Sequence, residues 1–180
     1  MFPLLILPTL ARAQPVALSV NTNSREEVRQ FFRAVYSASE NVPMGWTGTY
    51  ATGSAGDTSP AFKESVRLRI NFYRALAGVP ADIAFNPTYS AKSQQAALLM
   101  SVNNALSHTP PASWTRYSAV GAEGALNSNL ALGQAGPDAI NGYIGDAGSN
   151  NAAVGHRRWL LYPQTLSMGT GDVPGISGNN

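Results

Sequence analysis

The chain has 180 residues, 44% hydrophobic and 12% charged, and no cysteine, which excludes a disordered polyelectrolyte, disulfides, thiolate metal sites and a cysteine nucleophile. Its net charge of +2 and pI near 9.1 come from ten Arg and two Lys scattered singly or in pairs, and without a basic stripe no nucleic-acid partner is expected. So few charges leave the surface to Ser, Thr, Asn, Gln, Gly and Ala, a composition that suits an exported protein.

At the N-terminus Phe2, Leu4, Leu5, Ile6 and Leu7 form a short apolar run that ends in Ala11-Arg12-Ala13, a small-x-small cleavage pattern. Residues 1–13 are therefore read as a signal peptide, which places the protein outside the cytoplasm, secreted or periplasmic. The run is far shorter than the ~18 residues a membrane span needs, so no transmembrane segment is expected. Residues 14–60 read as an N-terminal helix and loop extension, and residues 61–180 as the main domain.

Within the extension, Ser24 with Glu27 three residues on caps a helix over about Arg25–Ser39, with Phe31, Phe32 and Val35 on its apolar side. Gly45 to Pro60 is a loop rich in Gly, Ser and Thr. The next helix runs from Pro60 or Ala61 to Ala77, because Phe62, Val66, Ile70, Tyr73 and Ala77 recur at helical spacing and Gly78 and Pro80 stop it. A third helix is expected over Pro87–Asn103 and a further one over Pro137–Ile144. Arg157–Tyr162 reads as a strand closed by Pro163, with Leu166–Gly169 as its pairing partner.

The chemistry-bearing residues are few. His108 and His156 are the only histidines, and beyond residue 83 the only carboxylates are Glu123, Asp138, Asp146 and Asp172. Two imidazoles with one or two carboxylates suit Zn²⁺ or another divalent cation, or an acid–base pair, or hydrogen bonds that merely stabilise loops. Their separation along the chain matches no local zinc motif. Phosphate-binding loops, G-x-S-x-G elbows and H-E-x-x-H pairs are absent. Arg157 and Arg158 offer forked donors for an anionic ligand, or one of them turns inward against a carboxylate. Trp114, Trp159 and Tyr117 are assigned to packing.

The order of segments carries more information than any one of them. Asn71-Phe72-Tyr73-Arg74, Ala77-Gly78-Val79-Pro80, Leu106-Ser107-His108-Thr109-Pro110, Ser128-Asn129-Leu130-Ala131 and Gly155-His156-Arg157-Arg158-Trp159-Leu160-Leu161 follow one another over residues 62 to 173. This series resembles the CAP superfamily, also called SCP-like after the sperm-coating and pathogenesis-related secreted proteins, and is closest to its cysteine-free bacterial members.

The resemblance implies an α+β fold, an α-β-α sandwich with a central antiparallel sheet covered by helices, and a cleft holding two histidines and two acids. His108 matches the first histidine and His156 the second, which opens a G-H-x-x-W strand. Asp146, three residues after the aromatic Tyr143, matches the second acid. The first acid is replaced: Asn127-Ser128-Asn129-Leu130 puts Ser128 where a glutamate is expected, with Glu123 five residues upstream. His108, His156 and Asp146 are thus the metal candidates, and Glu123, Ser128 and Arg157 the further ligand-binding candidates. The same three metal candidates are the catalytic candidates.

Three functions are compatible with this reading. The first is a binding or interaction module whose cleft takes a divalent cation or small extracellular ligand, or an extracellular protein. The second is a hydrolase, protease or esterase, metal-assisted or with a histidine as base. The third is a structural extracellular scaffold. Whether the protein is an enzyme at all is left open by the sequence.

Overall fold

A computed structural model describes residues 17–175, so the signal-peptide reading of residues 1–13 lies outside the described residues. About 49% of these residues are helical. The elements are α1 (Arg25–Phe31), α2 (Pro60–Leu76), β1 (Ala84–Phe85), α3 (Pro87–Asn103), α4 (Ala119–Leu126), α5 (Gly136–Gly145), α6 (Gly155–Leu160) and β2 (Ser167–Met168). The expectation of a sandwich around a central antiparallel sheet is overturned. The described sheet has two strands, β1 and β2, and they run parallel, pairing Ala84 with Ser167 and Phe85 with Met168.

The long helices begin and end where local chemistry dictates. Ser59 accepts from the Phe62 N–H at 3.1 Å, and Pro60 occupies the first turn of α2, where its missing donor is harmless. At the other end Gly78 takes φ +69°, and the N–H groups of Gly78 and Val79 reach the carbonyls of Ala75 and Arg74. Asn86 caps α3 through the N–H groups of Thr88 and Tyr89, with Pro87 in the first turn. The helix expected over 25–39 is continuous, but its middle, Phe32–Tyr36, widens to a π-helix and its end, Ser37–Ser39, tightens to a 3₁₀ turn.

The predicted strand over Arg157–Tyr162 is instead the helix α6 and the turn that follows it. Four consecutive apolar residues are too few for periodicity to separate strand from helix. The environment decides: Leu160 is buried while Trp159 stands 69% exposed. Leu166–Gly169 accordingly pairs with β1 through Ala84 N–H to the Leu166 carbonyl and Asn86 N–H to the Met168 carbonyl, not with 157–162. Helix α4 was not foreseen. Ser118 caps it through the Gly121 N–H, and Gly124 allows it to touch α3, because a Cβ there would lie 2.3 Å from the Lys92 carbonyl oxygen.

Apolar burial is divided in two. One cluster joins Phe62, Val66, Ile70, Ile83, Ile140 and Leu160 from α2, the β1 approach, α5 and α6; the other joins Ala96, Leu99, Met100 and Ala125 from α3 and α4. Buried polar side chains of α2 bind the surrounding segments. Asn71 exchanges two hydrogen bonds with the backbone of Ile83. Arg69 lies 3.5 Å over the Tyr36 ring and donates to Ser39 and Asn141, fastening the N-terminal extension to α2 and α5.

Arg74 is fully buried and donates to the carbonyls of Pro80, Leu160, Tyr162 and Thr165 at 2.6–3.1 Å. One guanidinium therefore fixes the end of α6 and the entry to β2 against α2. Burial lowers its pKa and the nearby Asp82 carboxylate opposes that shift. Substituting Arg74→Leu strands several buried carbonyl groups, each worth roughly 1–3 kcal/mol when left unpaired. Urea denaturation is expected to show a loss of about 3 kcal/mol or more, and a loss below about 1 kcal/mol contradicts this role.

Candidate functional site

A cleft of about 1250 Å³ opens between the two apolar clusters, lined by Val66, Ile70 and Ile140 on one side and Ala96 and Met100 on the other. His108, Glu123, Ser128, Tyr143, Asp146 and His156 all line it. The residues singled out from the sequence are thus brought to one cavity, with the exception of Arg157.

Asp146 organises the His156 side. It ends α5 in the left-handed conformation at φ +45°, and its side chain is buried. Its Oδ1 accepts from His156 Nδ1 at 2.7 Å and its Oδ2 from the Arg157 backbone N–H at 3.1 Å. Arg157 returns the bond: its guanidinium donates to the Ile144 and Gly145 carbonyls at the end of α5. The forked donors expected for an anionic ligand are consumed in this mutual cap. Asn129 adds a bond to the His156 carbonyl at 3.2 Å, and Val154, a β-branched residue, enters α6 at φ +44°, a conformation that costs on the order of 1–3 kcal/mol.

His108 is held differently. It follows α3 in an irregular segment, and its Nδ1 donates to the Ala125 carbonyl at the end of α4, 2.8 Å away. A carbonyl only accepts, and the Asp146 carboxylate does likewise, so both rings carry their proton on Nδ1 when neutral and keep a lone pair on Nε2. Neither Nε2 has a partner among the described residues.

Glu123 lies on the exposed face of α4 and pairs with Lys92 of α3. Ser128 makes no hydrogen bond among the described residues. Glu123 and Ser128 therefore line the cavity, but the first carries a committed carboxylate and the second none. Among the described residues there is no group of three or more His, Cys, Asp or Glu placed to hold a metal. Two neutral imidazole nitrogens without a free carboxylate do not make the closed ligand set of a resident zinc ion.

Asp172 was counted among the carboxylates without a role, yet it lines the cleft floor. Its Oδ1 accepts from the Gly136 N–H at 2.6 Å and its Oδ2 from Thr170 Oγ1 at 3.2 Å. It thereby caps α5, whose own N-cap residue, Ala135, has no capping side chain. Trp159, assigned to packing, is the most exposed large apolar side chain among the described residues; it lines the cleft, as Leu126 and Leu132 do, and its ring meets that of Tyr162 edge-on. Trp114 does pack, against the α3/α4 cluster; Tyr117 is 39% exposed.

The two carboxylates titrate in opposite directions. Burial pulls Asp146 up, but the Arg157 N–H, the His156 hydrogen bond and the His156 and Arg157 charges outweigh it and hold it below the ordinary value. Burial dominates at Asp172 and raises it, against the Gly136 and Thr170 hydrogen bonds. Burial and the Asp172 charge likewise push the Tyr143 hydroxyl upward. Tyr143 also packs on the His156 ring at 5.3 Å.

The family model of the cysteine-rich secretory protein family, CAP, matches residues 68–180, more than half of the chain. No curated protein and no solved structure matches significantly. No described helix is long and apolar enough to cross a membrane.

Linkage fixes the pH signature of the site. Stability from Asp146 is complete above about pH 4 and is lost as pH falls through its lowered folded value; for Asp172 stability falls as pH rises from about 4 to its raised folded value. Thermal midpoints measured across pH 2–7 are expected to show a shallower acid limb for Asp146→Asn. For Asp172→Asn they are expected to fall less, relative to the parent, as pH rises. Unchanged slopes in both variants contradict the assignment.

Proposed function

Since the chain belongs to the CAP, or cysteine-rich secretory protein, family, we propose that it acts as an extracellular interaction module that holds its ligand in the cleft between His108 and His156. Family members are generally secreted, and the proposal extends that location to this protein. The observation that carries the reading is the pair of imidazoles lining one cavity, each with Nδ1 locked and with Nε2 unpartnered among the described residues. An acceptor nitrogen held in place by a bond on its far side is suited to receive a ligand's donor without reorganising.

The apolar walls supply contact area, and the few polar groups supply orientation, the usual division in a small-ligand cleft. The carboxylates of Glu123 and Asp146 are already engaged, Glu123 with Lys92 and Asp146 with His156 and the Arg157 N–H. Asp146 acts on the ligand through His156 and is a positioning residue.

A divalent cation is a second reading, favoured by the two Nε2 lone pairs. With only two protein nitrogens it would be bound weakly and exchangeably, its remaining positions filled by water or by the ligand itself. Hydrolysis has less support: the Asp146–His156 pair has the form of an oriented base, but no hydroxyl nucleophile bonds to Nε2 among the described residues.

The test is a fragment library followed through the ring resonances of both histidines, with a Zn²⁺ titration by calorimetry in parallel. Fragments that bind are expected to move both rings, and binding is expected to fall at least tenfold in the His108→Ala, His156→Ala double variant. Zn²⁺ is expected to bind in the micromolar range or weaker and to be lost in the same variant. Hits that leave both rings unmoved overturn the proposal; Zn²⁺ heat that survives the double variant overturns the cation reading.

A further inference from the structure

A second, smaller crevice of about 230 Å³ opens beside the first turn of α5, and Ala135 lines both it and the cleft. Its other walls are residues 39–42 of the N-terminal extension, Phe62 and Arg69 of α2, and Pro137 and Asp138 of α5. The extension is held in place there: the Ser59 N–H and hydroxyl donate to the Met44 and Pro43 carbonyls at 2.8 and 3.3 Å, and Asn41 turns the chain at φ +56°. The two ends of the described chain are anchored elsewhere. The Leu18 N–H bonds the Ala81 carbonyl past the C-terminal end of α2, and the Pro174 carbonyl accepts from Tyr50.

The crevice floor holds a charge without a counter-charge. Arg69 is 1% exposed, and among the described residues its guanidinium meets neutral acceptors alone: Ser39 Oγ at 2.9 Å, Asn141 Oδ1 at 2.8 Å and the Tyr36 carbonyl at 3.4 Å. These take three of the five N–H groups that a guanidinium carries. No carboxylate pairs with Arg69 among the described residues, and residues 1–16 and 176–180 contain no Asp or Glu to supply one. Around the rim the sign reverses. Glu40 and Asp138 are exposed, and neither pairs with a cation among the described residues. Asn141 spans the two signs, with its Oδ1 on Arg69 and its Nδ2 3.5 Å from Asp138 Oδ1.

A buried charge is costly until it is paired, and the forked guanidinium matches the two oxygens of a carboxylate. A plain anion meets two carboxylates at this rim, and a plain cation meets the guanidinium at the floor. A molecule carrying both charges a few bonds apart satisfies all three groups. We propose that the crevice binds a free amino acid or a like small zwitterion, with its carboxylate on Arg69, its ammonium toward Glu40 and Asp138, and its side chain against Val42, Phe62 and Pro137. The volume equals roughly eight waters at ~30 Å³ each, room for one such molecule and not for a peptide. The site does not depend on the reading of the His108 and His156 cleft. Because its walls come from the extension, α2 and α5, an occupant joins the extension to the main domain.

The experiment uses the full chain, isotopically labelled and titrated with each of the common L-amino acids at millimolar concentration. At least one is expected to bind with a millimolar or tighter dissociation constant and to move the Asn141 side-chain amide together with the backbone amides of Ser39, Glu40 and Asn41. Its carboxamide, which lacks the carboxylate, and its N-acetyl form, which lacks the ammonium, are each expected to bind at least tenfold more weakly. The Glu40→Gln, Asp138→Asn double variant changes two exposed side chains that bear no part of the core, and it is expected to weaken binding about fivefold or more.

A failure of every amino acid to move these resonances overturns the proposal. Equal binding of the N-acetyl form assigns an anion site and equal binding of the carboxamide a cation site, and either overturns the zwitterion assignment. Undiminished affinity in the double variant overturns it as well. The histidine ring resonances report on the cleft separately, so the failure of one site is distinguishable from the failure of the other.

Discussion

The geometry of the cleft depends on the Asp146 carboxylate. This one group closes α5, receives the His156 ring and receives the Arg157 N–H in the first turn of α6, while the Arg157 guanidinium closes the carbonyls that α5 leaves open. Two helix ends that would each leave unpaired groups satisfy one another. The orientation of His156 is thus inherited from a helix junction, and any movement of α5 against α6 is transmitted to the ring. Asp172 extends the same chain of constraint, because it caps the opposite end of α5 and ties it to the cleft floor.

Elsewhere, buried donors and acceptors do the work that a broad sheet does in other layered folds. Arg74 gathers four carbonyls, Asn71 pairs with Ile83 as a backbone would, and Gln94 does the same for Asp172. These contacts hold irregular segments against α2 and α3 without requiring them to pair with each other. The consequence is a molecule with two apolar clusters facing a cavity rather than one merged core. Polar and apolar surfaces meet in that cavity, and the histidines stand where they do.

Helices were legible where caps and spacing agreed. Pro87–Asn103 was readable because Asn86, Pro87 and a run of helix formers point the same way, and Pro60–Leu76 because Ser59 and Gly78 bracket a regular apolar stripe. The segment 155–162 was not, since the Trp159-Leu160-Leu161-Tyr162 run has no period of its own and its helical form is held by Asp146, ten residues before His156, and by Arg74, 86 residues before Leu160. The strand expected there was read from that β-suitable run and the Pro163 that closes it, and the central antiparallel sheet from the family pattern. His108, His156, Asp146, Glu123 and Ser128 line one cavity, yet the pairing of Glu123 with Lys92 and of Arg157 with α5 carbonyls depends on packing that no local motif encodes. Asp172 escaped notice because its function is to cap a helix that begins 36 residues earlier.

The central claim is that both imidazoles that line the cleft keep an Nε2 lone pair because Nδ1–H is engaged elsewhere. Nitrogen-15 correlation spectra of the two rings, recorded at a pH where both are neutral, test it most directly. The account predicts the Nδ1–H tautomer for His108 and His156 alike, with a switch at His156 alone in Asp146→Ala. An Nε2–H tautomer at both rings in the parent protein contradicts it.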